Sequence, residues 1–267
     1  MQPPSGPRFT LPGDEDDALA TPEPTDHPMP PEASRLKPIT TKVKRINGAD
    51  YKRNEDDEDR AQPFGDDYLA EQWVAHWGEN WRYTKEWGCW HQWRGNSWHK
   101  VRGDAHFELA RRLTREALAW PGADAMTAGG RRALNSASTA AALLHFVRSD
   151  PVIEATVEQW DADPWALATP AGVVQLHAEK PGAGKLIEAS REQYCTRLTA
   201  VAPEPGVPEV WLDCLTRWFG GDDELIRYWQ KFCGYCLTGS CVEKMLLFVH
   251  GKADTGKTHA VNALGEC

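Results

Sequence analysis

The chain has 267 residues, with 30 lysines and arginines against 39 aspartates and glutamates, and a net charge of −9. This acidic balance excludes a uniformly basic, histone-like DNA binder but is compatible with a local basic groove. No apolar run reaches the roughly 18 residues that a membrane-spanning helix needs. The N-terminal residues have no basic-then-apolar signal segment, and the seven cysteines are an odd number. We therefore expect free thiols in a reducing cytoplasm.

Residues 1–65 differ in composition from the rest of the chain. They contain 11 of the 19 prolines, no tryptophan, few bulky apolar side chains, and two acidic runs on either side of a basic stretch. Such a segment buries too little apolar surface to offset the entropy of ordering. We predict that 1–65 is disordered, and that its basic stretch is a solvated linker rather than a phosphate contact.

Residues 66–150 are the first predicted folded region, and tryptophans dominate it. Seven of the 13 tryptophans lie between Trp73 and Trp98. Apolar residues at helical spacing predict helices in this region. Strand-like segments on both sides of a Gly-Asn turn predict a β-hairpin. The predicted elements are a helix over 67–77 with Asp67 as its N-cap, a β-hairpin turning at Arg94-Gly95-Asn96, and helices at about 104–119 and 131–149.

The tryptophan cluster has two interpretations. Basic neighbours such as Arg94 and Lys100 would suit a stacking platform for single-stranded nucleic acid. A tryptophan also buries a large apolar area, so filling a small core is the favoured interpretation for any single one. One exposed stacking residue within the cluster stays an open alternative.

Residues 151–242 are predicted to form a mainly helical region. Two short strands are expected around the turn Pro170-Ala171-Gly172. Apolar residues at i, i+3 and i+4 spacing predict a helix that starts at Pro208 and runs to Phe219. Asp222-Asp223 then caps a second helix.

Two weaker patterns invite a metal interpretation. Cys233, Cys236 and Cys241 have part of a zinc-ligand spacing, but a fourth ligand is missing, so we interpret them as core thiols. His91 and His99 lie on the predicted hairpin without a third ligand, and we do not predict a metal site there.

The motif that indicates a chemical activity lies in the last region, 243–267. Residues 251–258 match G-x-x-x-x-G-K-[ST], the P-loop or Walker A pattern. The apolar run 245–250 predicts a buried strand before the loop, and 258–264 predicts a helix after it. The candidate nucleotide-binding residues are Gly251, Lys252, Ala253, Asp254, Thr255, Gly256, Lys257 and Thr258.

Each residue type in the loop suits phosphate binding. Gly251 and Gly256 allow backbone N–H groups to turn inward and line a phosphate. The dipole of the following helix adds partial positive charge at the same point. Lys257 is the predicted catalytic residue, reaching the β- and γ-phosphates of ATP, and Thr258 is the predicted Mg²⁺ ligand. The alternative is a glycine-rich turn that holds no ligand.

The chain ends at Cys267, nine residues after Thr258. A P-loop ATPase also needs an acidic residue on a neighbouring strand and a residue that orients the attacking water. The nine residues that follow Thr258 are too few to supply them. We therefore expect the N-terminal part of a longer ATPase, without ATPase activity of its own.

Four stretches occur in a distinctive order around the loop. They are 160–176, Tyr194-Cys195-Thr196-Arg197, 211–239 and 244–258. The most specific piece is Gly234-Tyr235-Cys236-Leu237-Thr238-Gly239, just ahead of the predicted strand. Together these stretches resemble the helicase part of phage and plasmid primase–helicases, a group that includes poxvirus replicative nucleoside triphosphatases, with the motor cut off just after the P-loop.

The resemblance implies a superfamily 3 helicase: a ring, usually a hexamer, that hydrolyses ATP with Mg²⁺ and translocates on single-stranded DNA. It implies that Lys257 contacts the phosphates and Thr258 the Mg²⁺. Single-stranded DNA, further copies of the chain and other replication proteins are the implied partners, and no membrane is involved. Residues 254–258 replace the family's usual Asn-Gly-Lys-Ser ending but stay within the P-loop pattern.

These observations predict an α+β fold, mainly helical, with a small β-hairpin and the first strand–P-loop–helix of an α/β P-loop ATPase domain. The predicted parts are a disordered segment 1–65, a Trp-rich region 66–150, a helical accessory domain 151–242 and the start of the motor at 243–267. Two alternatives to the helicase stay open. One is a module that binds single-stranded DNA or a replication partner without turnover, and the other is an inactive prophage relic.

Overall fold

A computed structural model describes residues 36–39, 63–176, 184–252 and 255–265. This part of the chain contains seven α-helices and two three-stranded antiparallel sheets, which confirms the mainly helical α+β class. The helices are α1 (Asp66–Trp77), α2 (Ala105–Ala117), α3 (Ala128–Leu134), α4 (Ala137–Arg148), α5 (Glu209–Trp218), α6 (Asp223–Cys236) and α7 (Lys257–Gly265). The strands are β1 (Trp81–Thr84), β2 (Cys89–Trp93), β3 (Trp98–Lys100), β4 (Ala166–Thr169), β5 (Gly172–Gln175) and β6 (Lys185–Ile187). Within these ranges, every helix is too short or too polar to cross a bilayer.

The first sheet, in the order β1-β2-β3, contains the predicted hairpin. β2 and β3 pair antiparallel, from Trp93 opposite Trp98 to His91 opposite Lys100. Gly95 in the connecting turn has φ of 89°, a left-handed conformation that glycine adopts without a steric cost. The hairpin prediction is therefore confirmed, and β1 extends it by pairing antiparallel with the other edge of β2.

The main core lies between this sheet and helices α1, α2 and α4. Leu69, Leu113 and Leu143 contribute one fully buried leucine from each of these helices. Trp73 is also fully buried, and its ring centroid lies 6.0 Å from that of Trp81 on β1. Aromatic pairs at this separation add to the stabilisation from area burial. Core filling is thus confirmed for these tryptophans of the cluster.

Two helix predictions need correction, one in its start and one in its continuity. Asp67 is not the N-cap of α1: the helix begins one residue earlier, no side chain caps it, and Asp67 lies in its first turn. The helix predicted over 131–149 is two helices, α3 and α4. Ser136 leaves the helical conformation between them, and its hydroxyl accepts a hydrogen bond from the Thr139 N–H at 3.2 Å, which caps α4.

The second sheet, in the order β4-β5-β6, confirms the two strands predicted around Pro170-Ala171-Gly172 and adds a third. Gly172 begins β5 with φ of 137°. A Cβ atom there would lie 2.3 Å from the carbonyl oxygen of Ile187 on β6. Only glycine therefore lets the two strands approach this closely.

Helices α5 and α6 follow the sequence prediction closely. α5 begins directly after Pro208, and Asp222 caps α6 by accepting hydrogen bonds from the N–H groups of Glu224 and Leu225 at 3.0 and 3.1 Å. The apolar faces of both helices meet in a small separate core whose buried members include Leu215 and Trp229.

Residues 36–39 are described within the segment 1–65, for which disorder is predicted. They lie against α1 and α2 and form hydrogen bonds with side chains of both helices. The two acidic runs and most of the basic stretch of the N-terminal segment lie outside the described residues.

Candidate nucleotide site

The P-loop glycine before α7 is held in a conformation that only glycine accommodates. Gly256 has φ of 84°. The indole of Trp218, at the end of α5, lies directly against it, because a Cβ atom at Gly256 would be 2.0 Å from the Trp218 Nε1. The Gly256 carbonyl accepts the first helical bond of α7, from the Ala260 N–H at 3.0 Å. The loop therefore leads into a helix whose first residue is Lys257.

The Lys257 ammonium folds back over the loop. Its Nζ donates to the carbonyl oxygens of Gly251 and Lys252 at 3.2 and 2.5 Å, and to the Thr255 hydroxyl at 3.2 Å. All three acceptors are neutral, and no carboxylate pairs with Lys257 within the described ranges. The amine therefore lies beside the described loop residues Gly251, Lys252 and Thr255, and no described carboxylate neutralises its charge.

An open cavity of about 730 Å³ lies in front of the loop. Thr255, Gly256, Lys257, Thr258 and His259 form one wall, and Arg217 and Trp218 of α5 form the other. Arg217 also forms an exposed ion pair with Asp213, with 2.9 Å between its Nη2 and the carboxylate Oδ2. Two basic side chains therefore face the same space.

No sequence motif indicates Arg217 or Trp218, because both lie on a helix some forty positions before the loop and reach it only through folding. Gly251 and Lys252 lie next to the Lys257 amine, as just described, and Thr258 is exposed. The predicted site residues Ala253 and Asp254 lie outside the described residues.

The strand predicted over 245–250 is absent from the structure, which corrects that prediction. Leu247 and Val249 pack against the core of α5 and α6, whereas Leu246 and Phe248 are 90% and 79% exposed. A buried parallel strand needs neighbouring strands on both sides, and no strand of the described part of the chain pairs with this segment. The P-loop is therefore followed by its helix but is not preceded by its strand.

The groups at this site fit the phosphate part of ATP. An ammonium, a helix N-terminus and a hydroxyl are the donors and the metal ligand that a Mg²⁺–phosphate complex uses. Lys257 would hold the phosphates, and Thr258 would offer its hydroxyl to Mg²⁺. The wall formed by Arg217 and Trp218 adds a second cation and an aromatic face.

The tryptophan cluster has one strongly exposed member. Trp87, in the β1–β2 turn, is 47% exposed and lies nearly parallel to Trp160, with 6.4 Å between ring centroids and 26° between planes. His91 lies against the same Trp160 ring, with its centroid 4.3 Å away. Burial, reinforced by the charge of Lys100 and partly opposed by Asp161, lowers the pKa of His91 to about 4. The stack therefore stays uncharged at neutral pH.

The weaker metal patterns form no site in the described residues. His91 packs on Trp160, whereas the Nε2 of His99 lies 3.0 Å from the Ser97 hydroxyl. Cys233 packs beside the α5–α6 core, but Cys236 and Cys241 are exposed, so the core-thiol prediction is wrong for those two. No group of three or more metal-binding side chains occurs within the described part of the chain.

Comparison with protein-family models identifies a family to which the chain belongs. The family model described as "D5 N terminal like" matches residues 70–246, more than half of the chain, so the chain belongs to this family. The family corresponds to the N-terminal region of phage and plasmid primase–helicases. A search of curated proteins finds no match. The matched region begins within α1 and ends before the P-loop sequence. It therefore includes α2 to α6, both sheets and the cavity residues Arg217 and Trp218, but not residues 251–258.

Proposed function

We propose that this protein acts in DNA replication as part of an ATP-dependent helicase of the phage and plasmid primase–helicase type, and that residues 251–258 bind ATP. The family match supports the replication context. The position of Lys257 is the observation that carries the nucleotide proposal, since among the described residues its amine is held by neutral acceptors. Hydrogen bonds between charged partners are stronger than those between a charge and a carbonyl, so phosphate oxygens would displace these acceptors.

In this proposal different loop residues bind different parts of Mg²⁺–ATP. Lys257 would turn from the loop carbonyls to the β- and γ-phosphates, and Thr258 would offer its hydroxyl to Mg²⁺. Mg²⁺–ATP supplies the transferable phosphoryl group. Arg217 faces the same cavity and would neutralise part of the remaining charge. The helicase itself is a ring of copies on single-stranded DNA, for which α5 and α6 would form the accessory helices next to the motor.

Binding of a fluorescent ATP analogue with and without Mg²⁺ tests this proposal. The Lys257→Ala variant is expected to weaken binding at least about tenfold, because hydrogen bonds to charged groups contribute roughly 1.5–3 kcal/mol. Lys244→Ala is the matched control, since it removes an equal charge outside the loop. Failure of the unaltered chain to bind the analogue, or equal affinity in the Lys257→Ala and Lys244→Ala variants, would contradict the proposal.

Single-strand DNA binding by the Trp-rich region is a second candidate function, and Trp87 is the observation that favours it. Its exposed ring is supported by Trp160 beneath, as in the stacking platforms that bind nucleobases. Lys100 lies on the neighbouring β3 strand, near enough to affect His91. Trp87→Ala should weaken oligonucleotide binding about 5- to 100-fold, the range for loss of one stacked base, whereas the exposed Trp165→Ala should not. Equal effects of the two substitutions would remove this candidate.

A further inference from the structure

Residues 36–39, Leu-Lys-Pro-Ile, are bound like a peptide ligand along helices α1 and α2. The Ile39 N–H donates to the Gln72 Oε1 at 2.7 Å, and the Gln72 Nε2 donates back to the Ile39 carbonyl oxygen at 3.2 Å. At the other end, the Leu36 N–H donates to the Glu116 Oε2, and the Trp120 Nε1 donates to the Leu36 carbonyl oxygen at 2.8 Å. Side chains of the folded region therefore contact both backbone groups at each end of the segment.

The side chains that bind the segment are built into the core. With residues 36–39 in place, Gln72 is only 4% exposed and Trp120 only 5%. A buried amide without partners is costly, so a core position for Gln72 is explained by the backbone groups that it binds. Arg112 donates to Glu116 at 2.9 Å and fixes the carboxylate that accepts the Leu36 N–H. These residues form a groove, which we call the α1–α2 groove, defined by Gln72, His76, Glu116 and Trp120.

The pKa values of the two titratable groove residues depend on the segment. Burial raises the pKa of Glu116, but the hydrogen bonds from Arg112 and from the Leu36 N–H outweigh burial, so the pKa lies below its usual value. Burial lowers the pKa of His76, and a backbone hydrogen bond to Lys37 partly opposes this. At neutral pH the groove therefore offers a charged acceptor to the first residue of the segment.

The segment has the chemistry of an extended peptide motif. Pro38 has no N–H, and the groove provides acceptors at positions 36 and 39 but not at 38. Proline also fixes its own φ and favours an extended conformation at Lys37, so the segment loses little entropy on binding. Leu36 packs against the main core, and Pro38 and Ile39 are half-buried, while Lys37 is exposed.

We propose that the α1–α2 groove is a peptide-recognition site for an extended segment of the type apolar–any residue–Pro–apolar, and that residues 36–39 of the same chain are its resident ligand. The main-chain hydrogen bonds provide affinity, and packing of Leu36 against the main core provides specificity at that position, as in other modes of extended-peptide recognition. Attachment to the same chain gives the resident segment a high effective concentration, so a competing peptide binds well only when the segment is displaced.

The test uses the full chain with Leu36→Pro and Ile39→Pro, which remove both N–H donors and empty the groove. A fluorescein-labelled synthetic peptide of residues 34–41 is added, and anisotropy is recorded. Saturable binding is expected for this variant and at least tenfold weaker binding for the unaltered chain. Adding Gln72→Met, which keeps the shape of the side chain but removes its hydrogen bonds, should reduce peptide binding at least tenfold. The same peptide N-methylated at residues 36 and 39 should not compete.

Two results would overturn the proposal. One is an absence of peptide binding by the double-proline variant when its circular dichroism matches that of the unaltered chain. The other is equal binding of the methylated and unmethylated peptides. If the variant does not fold, hydrogen exchange of the unaltered chain tests whether the groove binds residues 36–39. The Leu36 and Ile39 amides should exchange at least tenfold more slowly than in the free peptide, and equal rates would reject the site.

Discussion

His91 is buried on β2 against Trp160, in surroundings that disfavour a charge. Its pKa is lowered from 6.5 to about 4, first by burial and then by Lys100, with Asp161 acting in the opposite direction. The unfolded chain therefore binds this proton at a higher pH than the folded chain does. The resulting stability is fully present above pH 6.5 and is lost as the pH falls from 6.5 towards 4.

We expect this one histidine to contribute about 2 kcal/mol to the loss of unfolding free energy between pH 7.5 and 5.0. Urea unfolding at both pH values should show a smaller loss for His91→Gln than for the unaltered chain. His145→Gln, at an exposed position of α4, is the control for replacing a histidine. Equal pH dependence in His91→Gln and the unaltered chain would show that His91 is not responsible.

Gly172 allows a second prediction at the residue scale, because the chain offers a matched glycine. Gly172 and Gly206 have φ values of 137° and 136°, but a Cβ atom meets the Ile187 carbonyl only at Gly172. Replacement by alanine strains the backbone at both positions by roughly 1–3 kcal/mol. Gly172→Ala should cost more than Gly206→Ala, because β6 must also move away. Thermal unfolding of the two variants compares them directly, and equal losses would mean that β6 adapts freely.

At the scale of elements, the break between α3 and α4 depends on one serine. The Ser136 hydroxyl satisfies the Thr139 N–H, which has no partner inside the helix. Ser136→Ala should destabilise the fold by about 1 kcal/mol, whereas Ser136→Asn, another good cap, should nearly preserve stability. Chemical denaturation measures both variants. An unchanged Ser136→Ala would indicate that packing of α4 alone sets the break.

Elements whose signal is local were predictable from sequence. Apolar spacing after Pro208 predicted α5, apolar spacing with a capping aspartate predicted α6, and the Gly-Asn turn predicted the β2–β3 hairpin. The break at Ser136 was missed because apolar spacing continues across it. The strand at 245–250 was wrongly predicted because strand formation depends on neighbours, which a local pattern does not contain. Docking of residues 36–39 left no composition signal, since side chains elsewhere bind its backbone.

The candidate nucleotide site was predictable only in the residues of the loop itself. The P-loop pattern identifies Lys257 and Thr258 because glycine spacing and residue type carry the phosphate chemistry locally. Arg217 and Trp218 enter the site through the packing of α5 against the loop. Their contribution depends on tertiary structure, which spacing along one chain does not encode.

At the scale of the whole molecule, the segment 245–250 presents an unusual surface. It places Leu246 and Phe248 in solvent, and its neighbour Val242 is 82% exposed. Large apolar side chains that are held in solvent form a surface suited to association with another chain. Because the opposite face of the segment is anchored on the α5–α6 core through Leu247 and Val249, the exposed face is held in place rather than collapsed.

We therefore expect the chain to self-associate through this segment as its concentration rises. The double substitution Leu246→Asp and Phe248→Asp should shift the chain towards monomer in light scattering, because it removes apolar surface and adds repulsion between copies. It should leave the unfolding temperature nearly unchanged, since both side chains are exposed. Leu247→Asp is the contrasting variant: it places a charge against Leu215 and Trp229 and should lower the unfolding temperature. If the unaltered chain stays monomeric in light scattering at all concentrations, exposure of this segment does not drive association.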